Sequence, residues 1–99
     1  MPELVRQWPS ELAHIVKHLH GLAGRQGCYA AEVDLSEDEM RALNLFQASA
    51  RHEHVMINDP DTSEECYAYL NTPVGLGPPK EREGCIGRVR ISLTDVHPH

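Results

Sequence analysis

The chain has 99 residues, of which 40% are hydrophobic and 24% charged, and its formal net charge is −6 at pH 7. This length suits one domain with one modest core, and it excludes a second domain or a deep substrate cavity walled on all sides. The hydrophobic content excludes a disordered chain, and no apolar run reaches the ~18 residues of a membrane-spanning helix.

The N-terminal segment and the cysteines predict a cytoplasmic protein. Residues 1–6 lack a basic stretch followed by an apolar core, so we do not expect a secretory signal. The three cysteines, Cys28, Cys66 and Cys85, are an odd number without a Cys-x-x-Cys pair. This pattern favours reduced thiols over a disulfide framework.

The acidic residues are concentrated in the middle of the chain. Residues 28–71 contain two arginines and ten Asp or Glu residues, whereas the segments on either side are slightly basic. A net negative charge repels the phosphates of DNA and RNA, so generic nucleic-acid affinity is disfavoured.

The first predicted helix begins at Ser10, a residue type that favours the N-cap position. Gly21 and Gly24 end it, and Trp8 is placed to fold back over its first turn. The apolar residues recur at helical spacing and form one stripe. They are Leu12, Ile15, Val16, Leu19 and Leu22.

Residues 28–35 predict a strand with one buried face. Glu32 and Asp34 share its other face, which we expect to be exposed. The sequence from Ser36 to Glu39 is a capping box, and it starts a second helix that runs to about Arg51. The buried stripe of this helix is Met40, Leu43, Phe46 and Ala50, and Leu45 points away from it.

The rest of the chain predicts short strands and one long loop. Residues 54–57 form a strand, and residues 63–70 fit either a returning hairpin strand or a two-turn helix. Residues 71–84, rich in Gly and Pro, form a loop. The alternation at 88–93 predicts a last strand, also a candidate sheet edge, and residues 95–99 form a frayed tail.

These elements predict a two-layer α+β domain. Two helices pack on one face of a small, mostly antiparallel sheet of three or four strands. The expected strand contribution to the core is Val33, Leu35, Val55, Ile57, Val89, Ile91 and Leu93.

The seven histidines are the most unusual feature of the composition. His14 and His18 are four residues apart on the first helix, but they lie opposite its apolar stripe, so we expect both in solvent. His52 and His54 share a face only if their strand extends that far. Zinc sites usually show tight ligand pairs such as Cys-x2-Cys, and none occurs here. We therefore predict no metal ligands and no cofactor, with a histidine-rich metal-binding protein as an alternative.

The segments that resemble catalytic or ligand-binding motifs lack residues that those motifs require. The acidic stretch from Asp59 resembles a calcium loop, but the loop's sixth and twelfth positions are Glu64 and Leu70 instead of Gly and Glu. The Gly-rich segment 75–79 leads into prolines instead of a helix that would hold a phosphate. No nucleophile has an evident base, so we do not expect an enzyme.

The function that best fits these observations is non-catalytic protein binding or regulation, with inhibition of another protein and homodimerisation as forms of it. The outward leucine, the acidic turn and the paired arginines of the last strand are the expected contacts with a partner. They are Leu45, Asp59, Asp61, Glu64, Glu65, Arg88 and Arg90. The further alternative is a winged-helix-like nucleic-acid-binding domain that uses Arg88 and Arg90 with Lys80 and Arg82.

Overall fold

The structure, a computed structural model, describes residues 5–22 and 26–98 of the chain and is an α+β fold. Within these ranges two α-helices and six strands follow one another, and a short 3-10 helix precedes the first α-helix. Their bounds are β1 Val5–Gln7, the 3-10 helix Ser10–Leu12, α1 Ala13–Val16, β2 Gly27–Leu35, α2 Glu37–Ser49, β3 His54–Asn58, β4 Glu65–Leu70, β5 Val74–Gly77 and β6 Gly87–Pro98. No helix in the described ranges has the length and apolar character needed to cross a membrane.

The six described strands form one mixed sheet in the order β1-β3-β4-β6-β2, with β5 also paired to β6. β6 is an inner strand, because it pairs with β2 on one side and with β4 and β5 in succession on the other. β1 pairs parallel with β3, and the other pairings are antiparallel. The predicted sheet of three or four strands is too small. The missed strands, β1 and β5, have only three and four residues and therefore carry little alternating pattern.

The structure decides one alternative that the sequence left open and differs from the sequence predictions in two other segments. The ambiguous residues 63–70 form strand β4 from Glu65 onward. The predicted loop 71–84 contains β5, whose Val74 lies opposite Arg90 of β6. The last strand is longer than predicted and lies inside the sheet, not at its edge.

Residues 95–98, expected to fray, continue β6 to Pro98. Val96 is 2% exposed and lies opposite Gly27 of β2, while Pro98 lies opposite Cys66 of β4. Pairing on both sides gives this segment the hydrogen-bond partners that a frayed tail lacks. His99 lies outside the described residues.

β6 contains a β-bulge at Asp95. Tyr69 and Tyr67 of β4 lie opposite Thr94 and His97, so β6 has one extra residue in this interval, and the same shift occurs in its pairing with β2. Asp95 has a φ of 55°, in the left-handed region that Asp tolerates better than most residues. An extra residue exchanges the sheet faces of the residues that follow it.

The described core is one cluster of buried side chains from the strands and the helical segments. Its strand residues include all seven predicted ones, Val33, Leu35, Val55, Ile57, Val89, Ile91 and Leu93, each 3% exposed or less. Leu12, Ile15, Leu19, Leu22, Leu43 and Ala50 complete the same cluster from the helices and the segments beside them. The burial predicted from apolar periodicity is confirmed for these residues.

The first predicted helix is shorter than its apolar stripe. α1 ends at Val16, and residues 17–19 continue as turns in which each N–H bonds three residues back. Ser10 makes no side-chain cap, because it lies inside the 3-10 helix. Four residues of the stripe are buried nevertheless, and Val16 is partly buried against the same cluster. Gly24, expected to end the helix, lies outside the described residues.

Trp8 folds back over the first turn as predicted. Its Nε1 donates to the carbonyl oxygen of Leu12 at 2.8 Å, and its ring meets Phe46 of α2 edge to face at 5.5 Å between centroids. This contact ties the N-terminal helical segment to α2.

α2 begins at the predicted capping box. Ser36 Oγ accepts from the N–H of Glu39 at 3.3 Å, and Glu39 Oε1 accepts from the N–H of Ser36 at 2.8 Å. The helix ends at Ser49, two residues before the expected end at Arg51. Leu43 is fully buried and Leu45 is 66% exposed, as the helical spacing predicts.

Candidate functional site

The acidic turn at Asp59 is partly internal. Asp59 is 1% exposed, and its Oδ1 accepts from the N–H groups of Asp61 at 2.7 Å and Thr62 at 3.3 Å. Asp61 Oδ2 accepts from the N–H of Gly21 at 2.6 Å, and its Oδ1 lies 3.4 Å from His20 Nδ1. Asp59 is therefore not an exposed contact residue, since its side chain closes the turn from inside.

Arg88 and Arg90 each lie opposite a carboxylate on β2. Arg88 Nη1 is 2.9 Å from Asp34 Oδ1, and the two side chains are 12% and 0% exposed. Arg90 Nη2 is 3.7 Å from Glu32 Oε1, and both side chains are about half exposed. The strand register places these residues in cross-strand pairs. Arg88 is thus engaged inside the protein, contrary to its predicted place on a contact surface.

Asp34, expected on an exposed face, is the centre of a buried hydrogen-bond network. Its Oδ2 accepts from the backbone N–H groups of Lys80, Glu81 and Arg82. Burial by itself raises the pKa of this carboxyl, but the N–H groups of Glu81 and Arg82, the Arg88 guanidinium and the N–H of Lys80 outweigh it. The pKa of Asp34 therefore lies well below its ordinary range. The carboxylate fixes the loop before β6 against the sheet.

The basic residues of the nucleic-acid alternative do not form an open stripe. Arg82 Nη1 is 3.0 Å from Glu39 Oε1, while Arg88 and Arg90 pair with the two carboxylates of β2. A carboxylate partner offsets the charge that a phosphate would otherwise neutralise. This surface gives the nucleic-acid hypothesis no support.

The remaining predicted contacts are exposed and lie apart in the chain. Leu45 is on the outer side of α2, and Glu64 and Glu65 are at the start of β4. Their part in partner binding stays a prediction.

His14 is directed toward α2, although the sequence predicts it in solvent. Its Nδ1 lies 2.9 Å from Glu39 Oε2, and its side chain is 24% exposed. Burial lowers the pKa of His14 by more than the Glu39 carboxylate raises it. The imidazole is therefore held toward its neutral form and serves as a donor within the fold.

One group of side chains in the described residues has the composition and spacing to hold a metal ion. It consists of His54, Asp95 and His97, each with one ligand atom within 4.8 Å of the others. His54 precedes Asp95 by 41 positions in the sequence, so only the strand order brings it to Asp95 and His97.

β2 is the long open edge of the described sheet. It has nine residues and pairs only with β6, whereas the opposite edge, β1, has three. A shallow groove of about 400 Å³ runs beside it, lined by Cys28, Tyr29, Ala30, Asn71, Ser92, Leu93 and Thr94. Small side chains at Ala30 and Ser92, which face each other across the strands, leave this space open.

Sequence reasoning missed both the edge and the buried carboxylate. The signal for the edge was the uncharged run from Gly27 to Ala31, but strand order decides which strand lies outermost. The local signal at Asp34 is its alternation with apolar residues, but an exposed carboxylate on a strand shows the same alternation. Its partners are 46 or more residues away in the chain, so no local pattern points to them.

Comparisons of the chain with protein-family models, with curated proteins and with solved structures find no match.

Proposed function

We propose that this chain is a non-catalytic protein-binding module that takes an extended, basic segment of its partner as an additional strand along β2. The observation that supports this most directly is that β2 has nine residues and a single strand neighbour among the described strands. A segment that pairs with such an edge gains main-chain hydrogen bonds along its length, and neighbouring pockets select its side chains. The groove beside Ala30 and Ser92 supplies such a pocket.

β2 also lacks the features that commonly protect a sheet edge. It contains no proline and no lysine, and its first five residues are uncharged. Its length exceeds the ~5–6 residues of an ordinary strand. A strand of this kind is a favourable template for another chain.

Charge supports a basic segment as the occupant. The chain carries a net charge of −6, and Glu32 on β2 is half exposed beside its partner Arg90. Just beyond the strand, the side chains of Glu37 and Asp38 are 73% and 94% exposed and share one partner, Arg41, so this pair retains a negative charge. A second copy of the chain would bring the same negative charge, whereas a basic segment is attracted over a distance.

We propose that α1 and α2 cover the same face of the sheet, which leaves the groove on the opposite face accessible. The three free cysteines fit a reducing compartment, so we place the protein in the cytoplasm. If the basic segment belongs to a functional site of the partner, binding inhibits that partner.

The test is a titration of isotope-labelled, untagged protein with a short peptide of alternating valine and lysine, followed by NMR. We expect amide shifts concentrated in Gly27–Leu35 and much weaker binding of the matching valine–glutamate peptide. Glu32→Lys should weaken binding roughly two- to tenfold, because it reverses one exposed charge beside the edge. Glu64→Lys makes the same charge change next to β4, two strands from β2 in the sheet, and Leu45→Glu changes the outer side of α2; both are controls and should bind as the wild type does.

Two results would contradict this proposal. Shifts centred on Leu45 or Glu64 would move the contact to surfaces that the sequence alone predicted. A dimer in native mass spectrometry that dissociates on Ala30→Lys would make a second copy of the chain the occupant of β2.

A further inference from the structure

The cluster of His54, Asp95 and His97 lies on the sheet face opposite the core. His54 on β3 faces Tyr69 on β4, and Tyr69 faces Thr94 on β6. The His54 ring stacks on Tyr69 at 4.1 Å between centroids, and its Nε2 reaches Asp95 Oδ2 at 3.2 Å. Side chains from strands that are not neighbours thus meet above the middle strand.

The bulge at Asp95 creates this arrangement. In a regular strand, side chains alternate, so His97 would share a face with Leu93 and point into the core. The extra residue puts His97 opposite Tyr67, on the same face as His54. Bulges often redirect a side chain next to a functional site, and the left-handed φ of Asp95 is a local cost of this one.

A backbone hydrogen bond fixes the tautomer of His97 that can bind a metal ion. Its Nδ1 lies 2.8 Å from the carbonyl oxygen of Asp95, which can only accept, so Nδ1 carries the proton. In the neutral ring the lone pair is then on Nε2. A backbone carbonyl that fixes the tautomer in this way is the usual support of a metal-binding histidine.

We propose that His54, Asp95 and His97 form a site for one zinc ion. In a tetrahedral zinc site with bonds of ~2.0–2.1 Å, ligand atoms are about 3.4 Å apart. His54 Nε2 and Asp95 Oδ2 already have a separation of 3.2 Å, and all three ligand atoms lie within 4.8 Å of one another.

The ligand set favours zinc over the hard divalent cations. Two imidazoles and one carboxylate are ligands typical of zinc and its transition-metal neighbours, whereas calcium and magnesium take oxygen ligands. Three protein ligands leave one position for water or a group from another molecule. The His54 side chain is only 12% exposed, and Tyr67 lies 5.8 Å from His97 between ring centroids. The Asp95 side chain is 64% exposed, so the site is open to solvent on that side.

The test uses untagged protein stripped of metal with a chelator and then titrated with zinc by calorimetry. We expect one zinc ion per chain, with visible d–d absorption when cobalt replaces zinc. Zinc binding should weaken by more than ~100-fold in each of the variants His54→Gln, Asp95→Asn and His97→Gln. Removal of a metal ligand costs more affinity than removal of a hydrogen-bond partner of that ligand. Asp95→Asn is the key variant, because Asn also tolerates the left-handed backbone and the bulge is preserved.

The matched control is His20→Gln. His20 also faces a carboxylate, Asp61, at 3.4 Å, but the metal-capable group found in the described residues does not include it. Zinc should bind this variant as tightly as the wild type and should raise the Tm of both, without raising that of the three ligand variants. The proposal is overturned if wild-type protein binds no zinc, or if any one of the three ligand variants binds it with wild-type affinity.

Discussion

Asp34 illustrates at the scale of single residues how one side chain organises a distant segment. Its carboxylate is fully enclosed, yet it stays ionised because three backbone N–H groups and the Arg88 guanidinium surround it. A buried charge without such partners would be costly. Glu32, two residues earlier on the same face, pairs with Arg90 at the half-exposed surface, where solvent weakens the interaction.

Asp34→Asn should destabilise the protein clearly, whereas Glu32→Gln should change its stability little. The amide cannot accept the same set of charge-assisted hydrogen bonds, and it leaves Arg88 without its buried partner. Thermal unfolding followed by circular dichroism checks this: we expect a Tm lower by several degrees for Asp34→Asn alone.

The Tm difference between wild type and Asp34→Asn should depend on pH with a defined sign. Since folding lowers the pKa of Asp34 below its ordinary value of 3.8, its ionised form stabilises the protein above that pH. The contribution decreases as pH falls through 3.8 toward the lower folded-state pKa. The Tm difference between wild type and Asp34→Asn should therefore shrink in acid, and a constant difference from pH 7 to the acid range would contradict this account.

At the scale of elements, the two helices differ in what holds their first turns. α2 begins with a complete capping box between Ser36 and Glu39. The N-terminal helical segment begins with Ser10 but has no side-chain cap, and packing of Trp8 over its first turn stabilises it instead. The same residue type therefore has different effects at the two helix starts.

Ser36→Ala should lower the free energy of unfolding by about 1 kcal/mol, because it removes an acceptor for an otherwise unpaired helix N–H. Ser10→Ala should change it by less than about 0.5 kcal/mol, as expected for an exposed residue without a cap role. Urea unfolding of both variants measures the difference. Equal effects would show that the capping box contributes nothing specific.

At the scale of the whole molecule, β6 connects β2 to the other described strands of the sheet. It pairs with three strands, and its last residues lie between β2 and β4. The bulge at Asp95 keeps Val96 in the core while turning His97 to the opposite face. One irregular residue therefore serves both the core and the proposed zinc site.

Val96→Ala should lower the free energy of unfolding by about 1.5–3 kcal/mol, from the lost burial of two methyl groups and the cavity that remains. Val74→Ala is the matched control, since Val74 is 50% exposed on β5, and it should cost less than about 0.5 kcal/mol. Chemical denaturation compares the two. A negligible effect of Val96→Ala would mean that the end of the chain is frayed, as the sequence alone predicts.

The sequence by itself determined the elements that local patterns encode. The capping box at Ser36, the buried leucines of the first stripe, the fold of Trp8 and the outward position of Leu45 all follow from spacing and residue type. These features depend on residues within a few positions of each other, and their periodicity is visible in the sequence.

Only the tertiary structure decided which strands are inner and which lie at an edge. Asp34 meets Lys80 of the loop before β6, and His54 meets Asp95, because segments distant in sequence lie near each other in the sheet. The short strands were missed because they are stabilised by pairing with neighbours, which leaves almost no trace in their own residues. The candidate sites depend on such long-range pairing, and for this reason the sequence predicted the core of this protein better than its sites.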